Sequence, residues 1–424
     1  MLIRFEVENF RSIHEPAELS MVAIDDRVEA RSFPKFAASL VPVAGIFGPN
    51  ASGKSNMLAA LAWLRSAVQN SLRSWDDEIP VEPFAFGDAR DRDSSFALEL
   101  EIDGIRFEYL LDVGRHRVSY EALFHYPEGR RRRIFEREGN DLTLQRGLGA
   151  VSGTRALLTD RSLALSIMRR FDEPTTSAFT QALLRTSALG KPLDRSRRFP
   201  ITRLHSTLQL FDAPAEDGFL DAEDGPVDES EWRTTRREAM ALLRLADLGV
   251  ADVVIEETRI ESSRGEPVVR RTPKLVHLAD ADRLPFEYHD ESAGTQTWFE
   301  LIGPVLSALR DGSIVLFDEL DASLHPTLTA QLIKLFTLNS SNPHGAQLLF
   351  TSHDTNLLNH LNRDEVWLTE KTPAGSTRFA ALSDFAGERV RRSANLESSY
   401  LSGRFGALPD VSHPEFLRDL GLIG

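Results

Sequence analysis

The chain has 424 residues, of which 42% are hydrophobic, and a formal net charge of −15. That content supports a real core and two or three folding units, while the acidic balance argues against a protein that coats nucleic acid by bulk electrostatics. No cysteine is present, which excludes disulfides, thiolate chemistry and thiolate zinc sites.

Residues 1–10 hold Leu2, Phe5, Val7 and Phe10 among polar neighbours, the pattern of an N-terminal strand. They contain no apolar segment of a secretory signal. No run nears the roughly 18 apolar residues that span a bilayer, so no membrane role and a cytoplasmic location are expected. Asn9-Phe10-Arg11-Ser12-Ile13 turns toward a second strand around Leu19 and Val22. An apolar strand at 43–47 leads into Gly48-Pro49-Asn50-Ala51-Ser52-Gly53-Lys54-Ser55. Met57, Leu58, Leu61, Leu64 and Val68 then recur at helical spacing to about residue 73. A glycine, four residues and Gly-Lys-Ser between strand and helix is a phosphate-binding loop. Gly48 and Gly53 let the backbone curl its N–H groups inward, and the helix start adds its positive dipole end. Lys54 is the residue to reach the β- and γ-phosphates, and Ser55 the one to ligate Mg²⁺.

Phe96, Leu98, Leu100 and Ile102 alternate, then Ile105, Phe107, Tyr109, Leu111 and Val113, with Asp103-Gly104 between. That is a hairpin signal. Further strands are predicted at 118–124, 134–137 and 142–145, so 80–147 reads as an antiparallel sheet beside the nucleotide-binding strand. Segments 156–170, 176–189 and 232–248 have helical composition, and 212–231 is an acidic, Gly/Pro-containing solvated loop. The segment 150–250 therefore reads as a helical insertion. Strand character resumes at 253–257. Trp298, Leu301, Ile302, Val305, Leu306 and Leu309 form one helical face, and 314–317 is a fully apolar strand. Leu328, Leu332, Leu335 and Phe336 mark a helix, and 347–351 and 366–369 are further strands. This alternation implies a mostly parallel sheet.

The 314–317 strand ends in Asp318-Glu319, the usual partner of a phosphate loop. Asp318 would hold Mg²⁺ through water, and Glu319 would polarise the attacking water as general base.

Here a family resemblance becomes visible. Asp318-Glu319-Leu320-Asp321-Ala322-Ser323-Leu324-His325-Pro326 resembles the extended Walker B and D-loop of ABC and SMC-like ATPases, and Gly48 to Asn56 resembles their Walker A. Glu291-Ser292-Ala293-Gly294-Thr295-Gln296 resembles their signature, and Leu349-Phe350-Thr351-Ser352-His353-Asp354 their switch-histidine strand. Asn9-Phe10-Arg11-Ser12 resembles the start of RecF-like and SMC-like heads, which adds Arg11 to the cofactor-binding set. The resemblance covers 1–150 and 250–370. It implies that Ser292 and Gly294 touch the γ-phosphate bound by another subunit. Asp321 would lie at the dimer seam, and His353 would contact the γ-phosphate or attacking water. His325 reads as a helix-start residue before Pro326.

The sequence also departs from that pattern. Its signature reads Ser-Ala-Gly-Thr where the transporter form has Ser-Gly-Gly-Gln, which favours the RecF-, OLD- and SMC-like branch. Val81-Glu82-Pro83-Phe84 stands where the resemblance calls for a Q-loop glutamine. The stretch from Glu397 to Gly406 resembles the tail of stand-alone ATPases of bacterial anti-phage defence systems such as PARIS or Septu. Asp364-Glu365 and Asp384 lack the spacing of a Toprim nuclease, so any nuclease or toxin effector is expected as a separate protein. The basic runs Arg130-Arg131-Arg132-Arg133, Arg195-Ser196-Arg197-Arg198 and Arg389 with Arg391 and Arg392 read first as solvated turns or contacts to an acidic partner, with DNA left open.

The sequence thus predicts an α/β fold: an ABC/SMC-like ATPase head with a mostly parallel sheet, an antiparallel β subdomain and a helical insertion. Its expected parts are 1–149, 150–250 and 251–424. The resemblance implies ATP and Mg²⁺ as cofactors and a homodimer or higher homo-oligomer that gates the effector in anti-phage defence. The alternatives are a RecF-like repair ATPase acting on DNA and the cytoplasmic ATPase of a transporter.

Overall fold

The N-terminal alternation forms β1 (Leu2–Glu8), which pairs antiparallel with β2 (Ala17–Ser20) and buries Leu2, Phe5 and Val7. The computed structural model describes residues 1–25, 27, 29–33, 36–148, 153–193, 201–212, 229–261, 267–279, 282–322, 324–385 and 396–404. They divide into two compact units. The first is Met1–Asp194 with Leu316–Glu319 and Gln347–Gly424, and the second is Arg195–Val315 with Leu320–Ala346.

In the first unit, β3 (Arg31–Phe33) and β4 (Phe36–Leu40) make a small ribbon. The fully buried β5 (Val43–Phe47) then feeds the phosphate loop and α1 (Lys54–Ser74). The predicted hairpin is present as β6 (Ser94–Ile102) and β7 (Ile105–Val113). Asp103 and Gly104 both have positive φ, as a two-residue primed turn requires. With β8 (Val118–His125), β9 (Arg132–Glu138) and β10 (Asp141–Leu144), a seven-stranded sheet runs β10-β9-β8-β7-β6-β1-β2. Trp63 of α1 stacks on Phe96 at 4.8 Å, and Phe10 meets Phe96 edge-on at 5.7 Å. Each such pair contributes about 0.5–1.5 kcal/mol beyond its buried area, which fixes the phosphate-loop helix against the sheet.

The helix expected over 156–170 is two short ones, α2 (Thr154–Leu157) and α3 (Ala164–Met168). The break has a physical cause. Arg137 is completely buried and needs acceptors, and it donates to Thr159 O at 2.7 Å and Ser162 O at 2.5 Å. Those carbonyls are therefore lost to a helix. Its ion-pair partner Glu121, 3.6 Å away, accepts from the N–H groups of Ala164 and Leu165 that open α3, and from Tyr109 OH. The helix expected over 176–189 is α4 (Pro174–Leu184), capped by the Glu173 carboxylate, and then a strand, β11 (Ser187–Gly190). Four residues are too few to show a period in sequence.

The second unit contains α5 (Ile201–Phe211), α6 (Glu229–Ala246) and a three-stranded antiparallel sheet. Its strands are β12 (Val250–Glu261), β13 (Pro267–Ala279) and β14 (Asp282–Glu287). Only β12 was legible in sequence. Helix α7 (Ala293–Asp311) carries Pro304, which cannot donate to Glu300 O; Thr207 Oγ1 of α5 donates to that carbonyl instead and accepts from Gly303 N at 2.9 Å. A Cβ on Gly303 would lie 2.6 Å from Thr207 N, so glycine is what lets α5 and α7 approach.

The chain then forms β15 (Ile314–Asp318), α8 (Pro326–Thr337), β16 (Gln347–Thr351), β17 (Val366–Lys371), β18 (Thr377–Ala381) and α9 (Leu396–Leu401). A six-stranded sheet runs β11-β15-β16-β5-β17-β18. Strand β5 pairs parallel with both β16 and β17, and β18 closes the edge antiparallel. The mostly parallel sheet is thus present, with β11 as the strand that sequence reading took for helix.

Candidate active site

The phosphate loop leaves the buried end of β5 on three residues with positive φ: Gly48 (152°), Ala51 (59°) and Gly53 (99°). A side chain at Gly48 would run into Thr369 of β17, and one at Gly53 into Thr377 of β18, with Ser12 Oγ 2.8 Å away. The loop is braced from outside by hydroxyls. Ser52 Oγ bonds Thr369 Oγ1 at 2.6 Å, Thr377 Oγ1 donates to Ser52 O at 2.8 Å, and Asn56 Nδ2 donates to Ser12 Oγ at 2.6 Å. Asn50 and Ala51 are exposed at the tip, while Pro49, Ser55 and Asn56 are half-buried. Lys54 is buried, and its ammonium donates to Gly48 O (2.8 Å) and Pro49 O (3.0 Å) and lies 3.4 Å from His353 Nδ1. Lys54 and His353 therefore meet.

Asp318 is buried at the end of β15, and Thr351 Oγ1 donates to its Oδ1 at 2.7 Å. The same hydroxyl accepts from Glu319 N at 2.8 Å. That bond offsets an unusual backbone, since Glu319 has φ 54° in the left-handed region disfavoured for side-chain-bearing residues. The carboxylate of Glu319 is half-buried, and Lys191 Nζ donates to its Oε1 at 2.5 Å. This hydrogen bond raises the Lys191 pKa above its ordinary value. The donor set fits a hard cation: a buried carboxylate with one oxygen taken by Thr351, and the Ser55 hydroxyl at the opening turn of α1.

Arg11 also has positive φ, and its guanidinium is paired with Glu82 at 2.8 Å and donates to Leu193 O. Glu82 stands in the stretch where the resemblance calls for a Q-loop glutamine. In the second unit, Ser292 caps α7 by accepting from Thr295 N at 3.1 Å, and a Cβ on Gly294 would meet nothing closer than Ser292 Oγ at 3.9 Å. Asp321 is half-buried in the turn after β15. His325 is the cap of α8, its Nδ1 accepting from Thr327 N, as the sequence predicted.

A family model described as "AAA domain, putative AbiEii toxin, Type IV TA system" matches residues 43–359. The chain belongs to this family. The AbiEii-type AAA match takes in the phosphate loop, residues 291–296, Asp318-Glu319 and the 347–351 strand with His353, so the site described above lies within the family's AAA domain. Among solved structures it is similar to the SMC head domain from Thermotoga maritima, at 13% identity and TM-score 0.40, covering 90% of this chain and 98% of that one. It is also similar to an SmcHead bound to the C-winged helix domain of ScpA, at 12% identity and TM-score 0.43 with the same coverage. No curated protein matches the sequence.

Several residues of this AbiEii-type site carried no sequence signal. Lys191 follows an unremarked four-residue strand. Thr351 and Ser12 lie inside the 349–354 and 9–12 stretches, but nothing there marks the hydrogen bonds they make, and Thr369 and Thr377 brace the loop from positions no motif covers. In the second unit, His277 Nε2 lies 2.8 Å from Glu291 and its Nδ1 4.0 Å from Asp247, which anchors the turn leading into Ser292. Three of the basic-run arginines are matched by acids: Arg131 with Glu108, Arg132 with Glu128 and Arg133 with Glu136. The runs at 195–198 and 389–392 lie outside the described residues, as do 213–228 of the acidic loop and Phe405-Gly406 of the tail motif. The described part of that tail, α9, is tied to the turn beyond His353: Glu397 accepts from Thr355 and Asn359. Among the described residues, no helix is long and apolar enough to cross a membrane.

Proposed function

We propose that the chain binds ATP with Mg²⁺ and hydrolyses it, and that two copies complete each other's sites. The observation that carries this reading is two linked pairs at the ends of β5, β15 and β16: Lys54 beside His353, and Asp318 with Glu319 through Thr351, two residues before that histidine. Inward backbone N–H groups of 48–55 and Lys54 hold the phosphates. Asp318 and Ser55 hold the cation, which when bound shields the phosphate charge. Glu319 takes the proton of the attacking water as its oxygen bonds to the γ-phosphorus and ADP leaves. His353 orients that water or the γ-phosphate. Lys54 must leave the loop carbonyls for the phosphates, and Arg11 joins the site only by leaving Glu82.

In this reading Ser292 and Gly294 of one copy present the start of α7 to the phosphate held by the other, and Asp321 lines the seam. The parts are a head formed by 1–149 and 251–424 and a module, 150–250, that meets a partner. Closing and opening of the dimer would hold or release a separate nuclease or toxin in the cytoplasm. The family description, which names a toxin of a toxin–antitoxin system, supports a defence setting. The RecF-like alternative requires salt-sensitive DNA binding, and the acid-paired arginines at 131–133 weigh against it.

The test is ATP turnover together with native mass, on wild type and Glu319→Gln. We expect wild type to hydrolyse ATP and Glu319→Gln to be trapped with ATP as a dimer or larger assembly. Equal turnover by both would refute the role of Glu319, and a monomer at saturating ATP would refute the shared site.

A further inference from the structure

Strand β11 belongs to none of the sequence motifs, yet it is built against the Walker B end. Gly190 has φ 75°, and a Cβ there would collide with Asp318 O and come within 2.9 Å of Phe317 Cδ2. Only glycine permits this approach. The backbone beyond it is tied down twice: Lys191 N donates to Asp318 O at 3.3 Å, and Leu193 O accepts from Arg11 at 3.3 Å. The Lys191 side chain thus starts from a fixed point and reaches Glu319 while staying largely exposed.

A water-polarising carboxylate works by accepting a proton. An ammonium hydrogen-bonded to its Oε1 occupies the oxygen that would otherwise face the attacking water. An exposed ion pair is also weak enough to break readily. We propose that Lys191 is a resting-state restraint on Glu319, holding the carboxylate in the nucleotide-free protein and releasing it when the site engages nucleotide. The inference rests on the reading of Glu319 as general base.

Two measurements on the full chain test it. The sequence has six lysines, so reductive ¹³C-methylation gives a sparse NMR spectrum in which Lys191 is assigned by its loss in Lys191→Met. The pair predicts that this resonance shifts in Glu319→Gln without nucleotide and that adding a non-hydrolysable ATP analogue to wild type moves it the same way. Steady-state kinetics should show Lys191→Met raising kcat about two- to fivefold, the range open to an exposed pair, with KM unchanged. Lys191→Arg should return kcat toward wild type. A Lys191 resonance indifferent to Glu319→Gln overturns the pairing. A fall in kcat in Lys191→Met overturns the restraint and makes Lys191 a participant in the reaction. If Glu319→Gln hydrolyses ATP like wild type, the general-base reading fails and takes the restraint with it, whatever the NMR shows.

Discussion

Replacing Gly190 with alanine tests how the site is assembled. Its φ of 75° costs alanine about 1–2 kcal/mol. The new Cβ would collide with Asp318 O, 2.9 Å from Asp318 C, so β11 and the end of β15 must part by on the order of 1 Å. That separation breaks the Lys191 N–H bond to Asp318 O, worth about 1 kcal/mol. The sum, about 2–3 kcal/mol, lowers the melting temperature of a chain this long by roughly 2–5 °C. A shift of that size at Asp318 and Glu319 is expected to cost about 100-fold in turnover. Nucleotide binding should be nearly unaffected, because the 48–55 loop hangs from β5 and is braced by β17 and β18. Differential scanning fluorimetry, ATP turnover and titration with a fluorescent ATP analogue read the three quantities. A Gly190→Ala protein with wild-type melting and turnover would refute the claim that β11 sets the position of the Walker B end.

Thr351→Val removes the hydroxyl shared by Asp318 and Glu319, and should raise the Mg²⁺ concentration for half-maximal turnover about 10- to 100-fold. Titration of the ATPase with Mg²⁺ checks it, and an unchanged midpoint would contradict the role of Thr351. Arg137→Met leaves Glu121 buried without its cation and should cost about 3–5 kcal/mol in urea unfolding of the full chain. Burial raises Glu173, but the N–H groups of Thr176 and Thr175 outweigh it and hold its pKa below the ordinary glutamate value. A depressed carboxyl contributes stability above its unfolded pKa and loses it as pH falls through the folded one. Glu173→Gln should therefore melt below wild type at pH 7, by about 0.5–2 kcal/mol, and the gap should close below about pH 4.

The residues legible in sequence were those whose chemistry is local. The phosphate loop announced itself because a buried strand, a glycine-rich turn and an apolar helical face follow one another within some thirty residues, and each has its own period. Asp318-Glu319 was legible for the same reason, as a sharp change from apolar strand to acids. What stayed hidden depends on distant partners. Arg137 splits an apparent helix because its guanidinium needs the carbonyls of Thr159 and Ser162. β11 is a strand because β15 offers it an edge, and its own composition does not say so. The pairing of β13 with β12 and β14 draws on charged residues, such as Lys274 between Glu256 and Glu287, that give no apolar alternation.

The ammonium of Lys54, resting on the carbonyls of Gly48 and Pro49, bears on how this protein is to be disabled in the laboratory. Alanine at position 54 would do more than delete a phosphate ligand. It would leave the Gly48 and Pro49 carbonyl oxygens with no cation between them, at a cost of about 1–3 kcal/mol for the buried Gly48 oxygen and less for the half-buried Pro49 one. The customary lysine knock-out would thus be misshapen as well as nucleotide-blind. A defect seen with it alone could come from either change, and Glu319→Gln, which leaves that seat filled, is the cleaner inactive control.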